Sequence, residues 1–406
     1  MTNDGRKILM LLGGIHYLIP VIKSAHEQGY YVITADYLPN NIAHQYSNEY
    51  INVSILDKEA VLNAAREKKI DGIISFGVDP GVITAAYVQE KMGLPSMGPY
   101  ESVCILQNKD KFRKFLSDNG FNVPWSKSYS SIQTALDDLE NLQFPLIVKP
   151  TDSAGSKGVS KVEKPSTFNQ ALEYAFESSH QHKVIVEQYI EQFGCSSDSD
   201  CFSENGVLKI VSYSAQRFDR NAKNPFTPAA FTWPSTYTKE QEYYLSSELQ
   251  RLIRLLKMNT TVYNVETRVG VDGKPYIMEV SPRGGGNRLS EMLRYATGVD
   301  LIKAAVRSAV GDEIGDLGIV EYQNHIAYVV LHSEKDGIFK GISFDEDFFN
   351  KHKLEELDMW VKEGDSVSAF TGANTTIGTL PLKFENEAEM VKFIDDSTRY
   401  CRVKTL

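Results

Sequence analysis

The segment from Val262 to Arg283 constrains this chain more than any other. It contains two strand-like runs, Val262-Tyr263-Asn264-Val265-Glu266 and Met278-Glu279-Val280-Ser281, joined through Asp272-Gly273, the strongest short-range hairpin signal. A two-residue turn there places Glu266 opposite Glu279 and Asn264 opposite Ser281 on one face. Facing carboxylates repel, so the pairing costs stability unless a cation or a proton lies between them. A hard divalent ion suits such a pair, because magnesium prefers carboxylate and phosphate oxygens and keeps several waters. A hairpin whose polar face simply meets water is the alternative, and both stand at this point. Past the strand, Pro282 stops the ladder and Gly284-Gly285-Gly286 frees the backbone. Arg283 sits where a guanidinium can grip a phosphate or carboxylate bidentately, or form a surface ion pair.

Two further segments carry chemistry. Phe144-Pro145-Leu146-Ile147-Val148 is an apolar strand that delivers Lys149, and Thr151-Asp152-Ser153-Ala154-Gly155-Ser156-Lys157-Gly158 follows as a loop of small residues. Backbone N–H groups of such a loop can wrap a phosphate. The loop lacks the GxxxxGK[ST] spacing and precedes the strand-like Val159–Val162 instead of a helix, so it is no Walker A loop. Val184-Ile185-Val186-Glu187-Gln188-Tyr189-Ile190 is a strand ending in an acid, either an ordinary strand end or an edge that recognises adenine through the Glu187 region and the Ile190 N–H.

The first hundred residues alternate strand-like and helical stretches: Ile8–Leu12, Tyr17–Gln28, Tyr31–Ala35, Lys58–Lys69, Gly72–Phe76 and Val82–Met92. That alternation predicts a parallel sheet flanked by helices. Gly13-Gly14 and Asp36 imitate a dinucleotide fingerprint, but the full GxGxxG is missing. From Asn122 a small α+β subdomain is expected, with helices near Ser131–Leu142 and Thr167–Ser178. Strand-like Val207–Ser214, a loop from Arg217 to Trp233, a helix at Lys239–Lys257, the hairpin, and helices from Leu289 and at Asp300–Val310 follow. Beyond Gly311 short β-like runs such as His325–Leu331 and Gly378–Leu382 predict a separate C-terminal domain with a helix at Glu387–Ser397.

Bulk properties exclude several classes. A chain of 406 residues with 42% hydrophobic and 24% charged residues has the composition of a folded multidomain protein. A net charge of −10 argues against a nucleic-acid surface. The opening from Met1 through Asp4 into Ile8–Leu12 is too short for a secretory leader, and no apolar run approaches a membrane span. Cys104, Cys195, Cys201 and Cys401 show no CxxC spacing, so a reducing cytoplasm is expected.

Taken in order, helix-leading Asn108-Lys109, Lys149 with its Gly-rich loop, Glu187-Gln188-Tyr189-Ile190, Glu266, and Glu279-Val280-Ser281-Pro282-Arg283 resemble the ATP-grasp superfamily. The resemblance covers about residues 1–310, and the remainder is similar to the small β-rich domain of amino-acid ligases and carboxylases. It implies an α/β and α+β multidomain fold: a Rossmann-like pre-ATP-grasp domain at 1–100, an ATP-grasp domain at 101–310 with a lid subdomain at about 122–190, and a β-rich C-terminal domain at 311–406. It further implies ATP with Mg2+ or Mn2+. Lys109, eleven residues before Gly120 as in the family, and Lys149 would hold the phosphates, and Gly155, Ser156, Lys157 and Gly158 would form a mobile flap. Glu187, Tyr189 and Ile190 would line the adenine site, Glu266, Glu279 and Ser281 would bind metal, and Arg283 with Lys149 would steady the acyl-phosphate transition state.

Two departures stand out. Ser281 replaces the family's usual asparagine, for which Asn264 could compensate, and the expected ribose acid is missing around Gly194–Asp198, leaving Glu191 or Asp198 as substitutes. The resemblance implies a carboxylate–amine ligase forming an acyl phosphate on an amino acid or other small carboxylate. Bicarbonate activation, as in carbamoyl-phosphate synthase-like or purine-type carboxylating enzymes, and a non-catalytic ATP-binding module are the alternatives. Expected partners are small-molecule carboxylate and amine substrates, with no nucleic acid and no membrane, and a homodimer is the candidate assembly. His16, Asp79, Arg217, Arg220 and Asn287 are candidate substrate contacts on loops.

Overall fold

The computed structural model describes residues 5–153, 155–351 and 356–406. Met1–Asp4 and Ala154, which enter the leader and loop arguments above, lie outside the described residues.

Glu49–Asn52, Tyr31–Asp36, Ile8–Leu12 and Gly72–Ser75 form a parallel sheet in that spatial order. Ile8–Leu12 is buried along its length because helices cover both of its faces. Ile8, Met10 and Leu12 enter one core with Val61, Leu62 and Val82, while Leu9 and Leu11 enter another with Val21 and Ile22. Glu49–Asn52 escaped the sequence reading because an edge strand of four half-exposed residues has little apolar pattern. The dinucleotide imitation is packed shut: a Cβ on Gly14 would lie 2.5 Å from Asn41 and His44. Asp36 accepts from Asn41 Nδ2 at 2.6 Å.

The segment expected as a lid contains an antiparallel sheet ordered Ser126–Tyr129, Val184–Gln188, Leu146–Pro150, Ser160–Val162. Phe168–Glu177 and Ile132–Leu136 cover its apolar face and close a small core around Leu146, Val148, Phe168 and Leu172. Lys149 alternates with those residues and faces the other way.

A second antiparallel sheet, Val207–Ile210, Ser197–Glu204, Thr261–Val269, Pro275–Ser281, forms the floor. Tyr263, Val265 and Val280 pack on Leu245, Leu249 and Leu252 of the helix Lys239–Leu255, whose start is fixed by a Thr238/Gln241 capping box. The opposite face carries Asp198, Asp200, Asn264, Glu266 and Glu279, and becomes apolar at Phe202 and Val262 under the helix Leu301–Ala309.

The stretch from Arg217 to Trp233, expected as a loop, contributes two strands, Ala215–Phe218 and Pro228–Trp233. They join His325–Leu331, Gly378–Phe384 and Asp358–Met359 in one sheet, which therefore takes strands from both sides of residue 310. Pro228 is tolerated at a strand start, but together with the polar residues around it hides the alternation. A three-stranded sheet, including Gly337–Phe344 and Cys401–Thr405, completes the described chain. No helix of the described residues is long and apolar enough to cross a membrane.

Gly72 shows how tightly the units are joined, since a Cβ there would sit 2.0 Å from the backbone oxygen of Ala309. Gly72→Ala should therefore destabilise the protein by about 1–3 kcal/mol through overpacking against an immovable carbonyl, measured by urea denaturation. An unchanged midpoint would show that the helix Leu301–Ala309 is not held against the sheet.

Candidate functional site

The hairpin reaches its register by two compensating irregularities. Gly270 N–H bonds to Lys274 O at 2.9 Å, so the loop holds three residues, with Gly273 in the left-handed region at φ 76°. One extra residue, Met278, then bulges from the second strand between the Glu266–Glu279 and Thr267–Ile277 pairs. Loop and bulge cancel, so Glu266 faces Glu279 and Asn264 faces Ser281. A bulge beside a candidate site re-aims a side chain, and here it brings Glu279 onto the acidic face.

On the neighbouring strand Asp198 lies in register with Glu266, and Asp200 with Asn264. Burial first, and Glu279 second, push the Glu266 carboxyl up to about 7, against the pull of Lys149, Arg268 and Lys109. Burial and the Glu266 charge likewise raise Asp198. Asp200 rises to about 6 through burial, although Ser290 and the Gly285 N–H, the latter at 2.9 Å, bind it. Asn264 donates to Asp198 at 2.6 Å and to Asp200 at 3.4 Å.

Above this row stand the cations. Asn108 caps the helix Lys109–Asp118, and Lys109 Nζ donates to Ser153 O at 2.8 Å while lying 3.9 Å from Glu279. Lys149 pairs with Glu187 at 2.7 Å, and the same carboxylate accepts from Arg113 Nε at 2.8 Å. Arg113 also donates to the carbonyl of the bulged Met278 at 2.7 Å. Glu187 is only 2% exposed. Burial alone would raise its carboxyl, but Arg113 and Lys149 overcome that and bring it to about 2. Burial lowers Lys149, opposed by Glu187 and reinforced by Arg113 and Lys109.

Several residues stand differently from expectation. The Glu187 side chain is paired with two cations, Arg113 and Lys149. Next to it Lys161 lies over the Tyr189 ring at 4.1 Å, and the buried Ile190 offers its carbonyl to Arg268 at 3.0 Å. The Ser281 hydroxyl donates to Asp79 at 3.1 Å and accepts from Gln107 at 2.7 Å, so it is engaged away from the facing glutamates. Arg283 is buried and bidentate on Asp79 at 2.9 and 2.8 Å, with its remaining nitrogen on Gly284 O at 3.0 Å. Its grip is thus on a carboxylate of the chain itself. Asp198, a candidate for the ribose, is instead buried beside Glu266, while Glu191 is exposed and bonded through its carbonyl to Val271. In the flap Ser156 adopts φ 60°, Lys157 is exposed, and Gly158 packs where a Cβ would meet Ser178 and Pro150.

Of the candidate substrate contacts, Asn287 accepts from Tyr17 at 3.1 Å and His16 stacks on Trp360 at 4.6 Å, both at the rim of the loop after Arg283. Arg217 turns to Thr232 and Asp395, and Arg220 is exposed. Sequence reasoning missed Arg113 and Asp200. Arg113 stands four residues after Lys109 on the same helix face, which was a usable signal; Asp200 depends on a strand pairing that no local pattern reveals.

Residues 142–291 match the family model described as an ATP-grasp domain. Carbamoyl phosphate synthase large chains are similar in sequence: 26% identity to that of Thermoanaerobacter sp., covering 64% of this chain and 24% of the relative, and 25% to that of Thermotoga petrophila, covering 78% and 29%. The chain thus spans about a quarter of the length of these curated relatives. Among solved structures, L-amino acid ligase from Bacillus licheniformis superposes with a TM-score of 0.81 at 19% identity, covering 99% of both chains. Phosphoribosylglycinamide synthetase from Anaerococcus prevotii gives 0.75 at 20%, covering 99% of this chain and all of its own. N5-carboxyaminoimidazole ribonucleotide synthetase from Thermotoga maritima gives 0.75 at 15%, covering 98% and 100%. These likenesses establish the fold.

The buried triad yields a pH signature. The folded-state value of Glu187 lies below its ordinary 4.5, so its stabilising contribution is complete above that pH and fades as pH falls toward 2. Glu187→Gln should cost about 3 kcal/mol at neutral pH, and the gap to wild type should narrow between about pH 5 and pH 3. Urea denaturation of both proteins across that range checks this; a constant gap would show the carboxylate is not ionised within the triad.

Proposed function

We propose that this chain, built around an ATP-grasp domain at residues 142–291, is an ATP-dependent ligase that activates a carboxylate as an acyl phosphate, releasing ADP, and then passes the acyl group to an amine that displaces phosphate. The carrying observation is the facing Glu266–Glu279 pair with Lys109 3.9 Å from Glu279 and Lys149 in the adjoining corner. Two facing carboxylates, one pushed up to about 7 by burial and then by its neighbour, are hard-oxygen donors suited to Mg2+ or Mn2+ completed by phosphate oxygens and water. Held there, the ion would neutralise charge on the triphosphate.

The chain's own groups divide the remaining work. Lys109 and Lys149 bind the phosphates and stabilise charge as the γ-phosphoryl group moves to a carboxylate oxygen. Glu187 orients Lys149, while Tyr189 and the Ile190 backbone border the base. The Gly155–Gly158 flap covers the phosphates and keeps water from the acyl phosphate. Arg283, tied to Asp79, acts on the acyl substrate only if that pair opens; otherwise it braces the loop that carries Asn287.

An amino acid is the favoured carboxylate, supported by the full-length likeness to L-amino acid ligase. Bicarbonate is the second reading, supported by the carbamoyl phosphate synthase relatives. Four free thiols fit a reducing cytoplasm as the proposed compartment.

ADP release with Mg2+ and pooled L-amino acids, against bicarbonate, separates these readings. Stimulation by amino acids with a new amide product supports the ligase, and stimulation by bicarbonate alone transfers the case to carboxyphosphate. ATP binding without turnover on either identifies a binding module. Glu279→Ala should lower kcat by about 10²–10³-fold with an unchanged thermal transition, and undiminished turnover removes the metal assignment.

A further inference from the structure

The flap does not stand free. Asn224, buried on the segment between Ala215–Phe218 and Pro228–Trp233, donates from its amide nitrogen to Ser156 O and to Thr371 O, each at 3.1 Å. Its amide oxygen accepts from the Phe226 N–H at 3.1 Å, and its own N–H bonds to Phe370 O at 3.2 Å. Ser156 Oγ adds a bond to Phe226 O at 3.0 Å, and a Cβ on Gly372 would lie 3.3 Å from Gly155 O. One buried amide thus uses both of its donors to join the flap to the turn before Gly378–Phe384. That turn is braced from behind, where His332 stacks on Phe370 at 4.1 Å and meets Asp219 at 3.1 Å.

The geometry points to Asn224 as a positioning residue that latches the phosphate flap shut against the C-terminal sheet, so that closure depends on both segments being in place. The latch rests on the functional reading above for its purpose but not for its existence. Asn224 touches none of the proposed phosphate, base or metal residues except through the Ser156 carbonyl. Its effect is therefore on how long the flap stays closed. A flap that opens early admits water to the acyl phosphate, which consumes ATP without forming product.

Lys157 is exposed at the tip of the flap and serves as a reporter. With the full chain, trypsin cleavage after Lys157 should accelerate on the order of ten-fold in Asn224→Ala, since all three hydrogen bonds of the side-chain amide are lost, including the one to the flap. Asn224→Asp, isosteric but without the two donors, should behave in the same way, with far-ultraviolet dichroism and the thermal transition near those of the wild type. A wild-type cleavage rate in either variant overturns the latch, whatever the chain's activity. If the ligase reading holds, both variants should also raise ADP formed per product several-fold. An unchanged ratio alongside faster cleavage refutes the coupling and leaves the ligase assignment untouched.

Discussion

Glu187 is the knot of this structure. Its carboxylate joins Lys149 of the lid sheet to Arg113 of the helix Lys109–Asp118, and Arg113 reaches on to the bulged Met278 of the floor hairpin. A buried ion triad is costly to desolvate and stabilises only when each charge is met and each donor satisfied. Here the cost is offset by geometry, because one acid holds three elements that share no sheet. Arg113, held by that acid, in turn bonds the residue whose bulge sets Glu279 against Glu266. Lys149, the helix that carries Lys109, and the facing carboxylates are therefore tied together through one linked set of contacts.

The N-terminal sheet completes the arrangement from the other side. Gly77 N–H bonds to Gly284 O at 2.9 Å, a Cβ on Gly284 would overlap the Phe76 ring, and Asp79 holds both Ser281 and Arg283. The end of the hairpin is thus clamped by the loop that follows Gly72–Ser75. Glycines at 284 to 286 serve close approach here more than mobility, since Gly285 is packed against Asp200 and Leu289. A loop so enclosed presents Asn287 at a defined place, where it accepts from Tyr17.

The parallel sheet, the small α+β unit after Asn122 and the facing glutamates were legible in the sequence because each depends on local pattern: apolar runs, a Gly-rich turn, a hairpin signal. The register was legible for a partly wrong reason, as a three-residue loop and a bulge together mimic the simple turn. What could not be read depends on contacts between distant segments. Asp198 and Asp200 acquire their meaning from pairing with Thr261–Val269, Arg283 from Asp79, and Pro228–Trp233 from strands that begin a hundred residues later. A residue's type and spacing suggest what chemistry it can perform, but whether its polar atoms are already spent is a tertiary fact, as Ser281 and the Glu187 side chain show.

The charges left over after these pairings are those that the proposed metal–triphosphate ligand would meet. Glu266, Asp198 and Asp200 are all pushed upward, chiefly by burial, and two of them also by neighbouring acids. Lys149 is pushed downward by burial and by cations of its own sign, against the pull of Glu187. Each group is thus biased toward neutrality chiefly by burial, Lys149 even with Glu187 beside it, although further opposite charge lies within the same cleft. They do not neutralise one another because the sheets hold Lys149 to Glu187 and Glu266 to Glu279. A ligand that carries anionic oxygens toward the lysines and a divalent cation toward the carboxylates supplies both missing signs at once. A free anion or a free cation would satisfy one side and leave the other strained, so binding of nucleotide and of metal is expected to be mutually reinforcing, with the coupling set by how rigidly the Glu187 triad keeps the two halves apart.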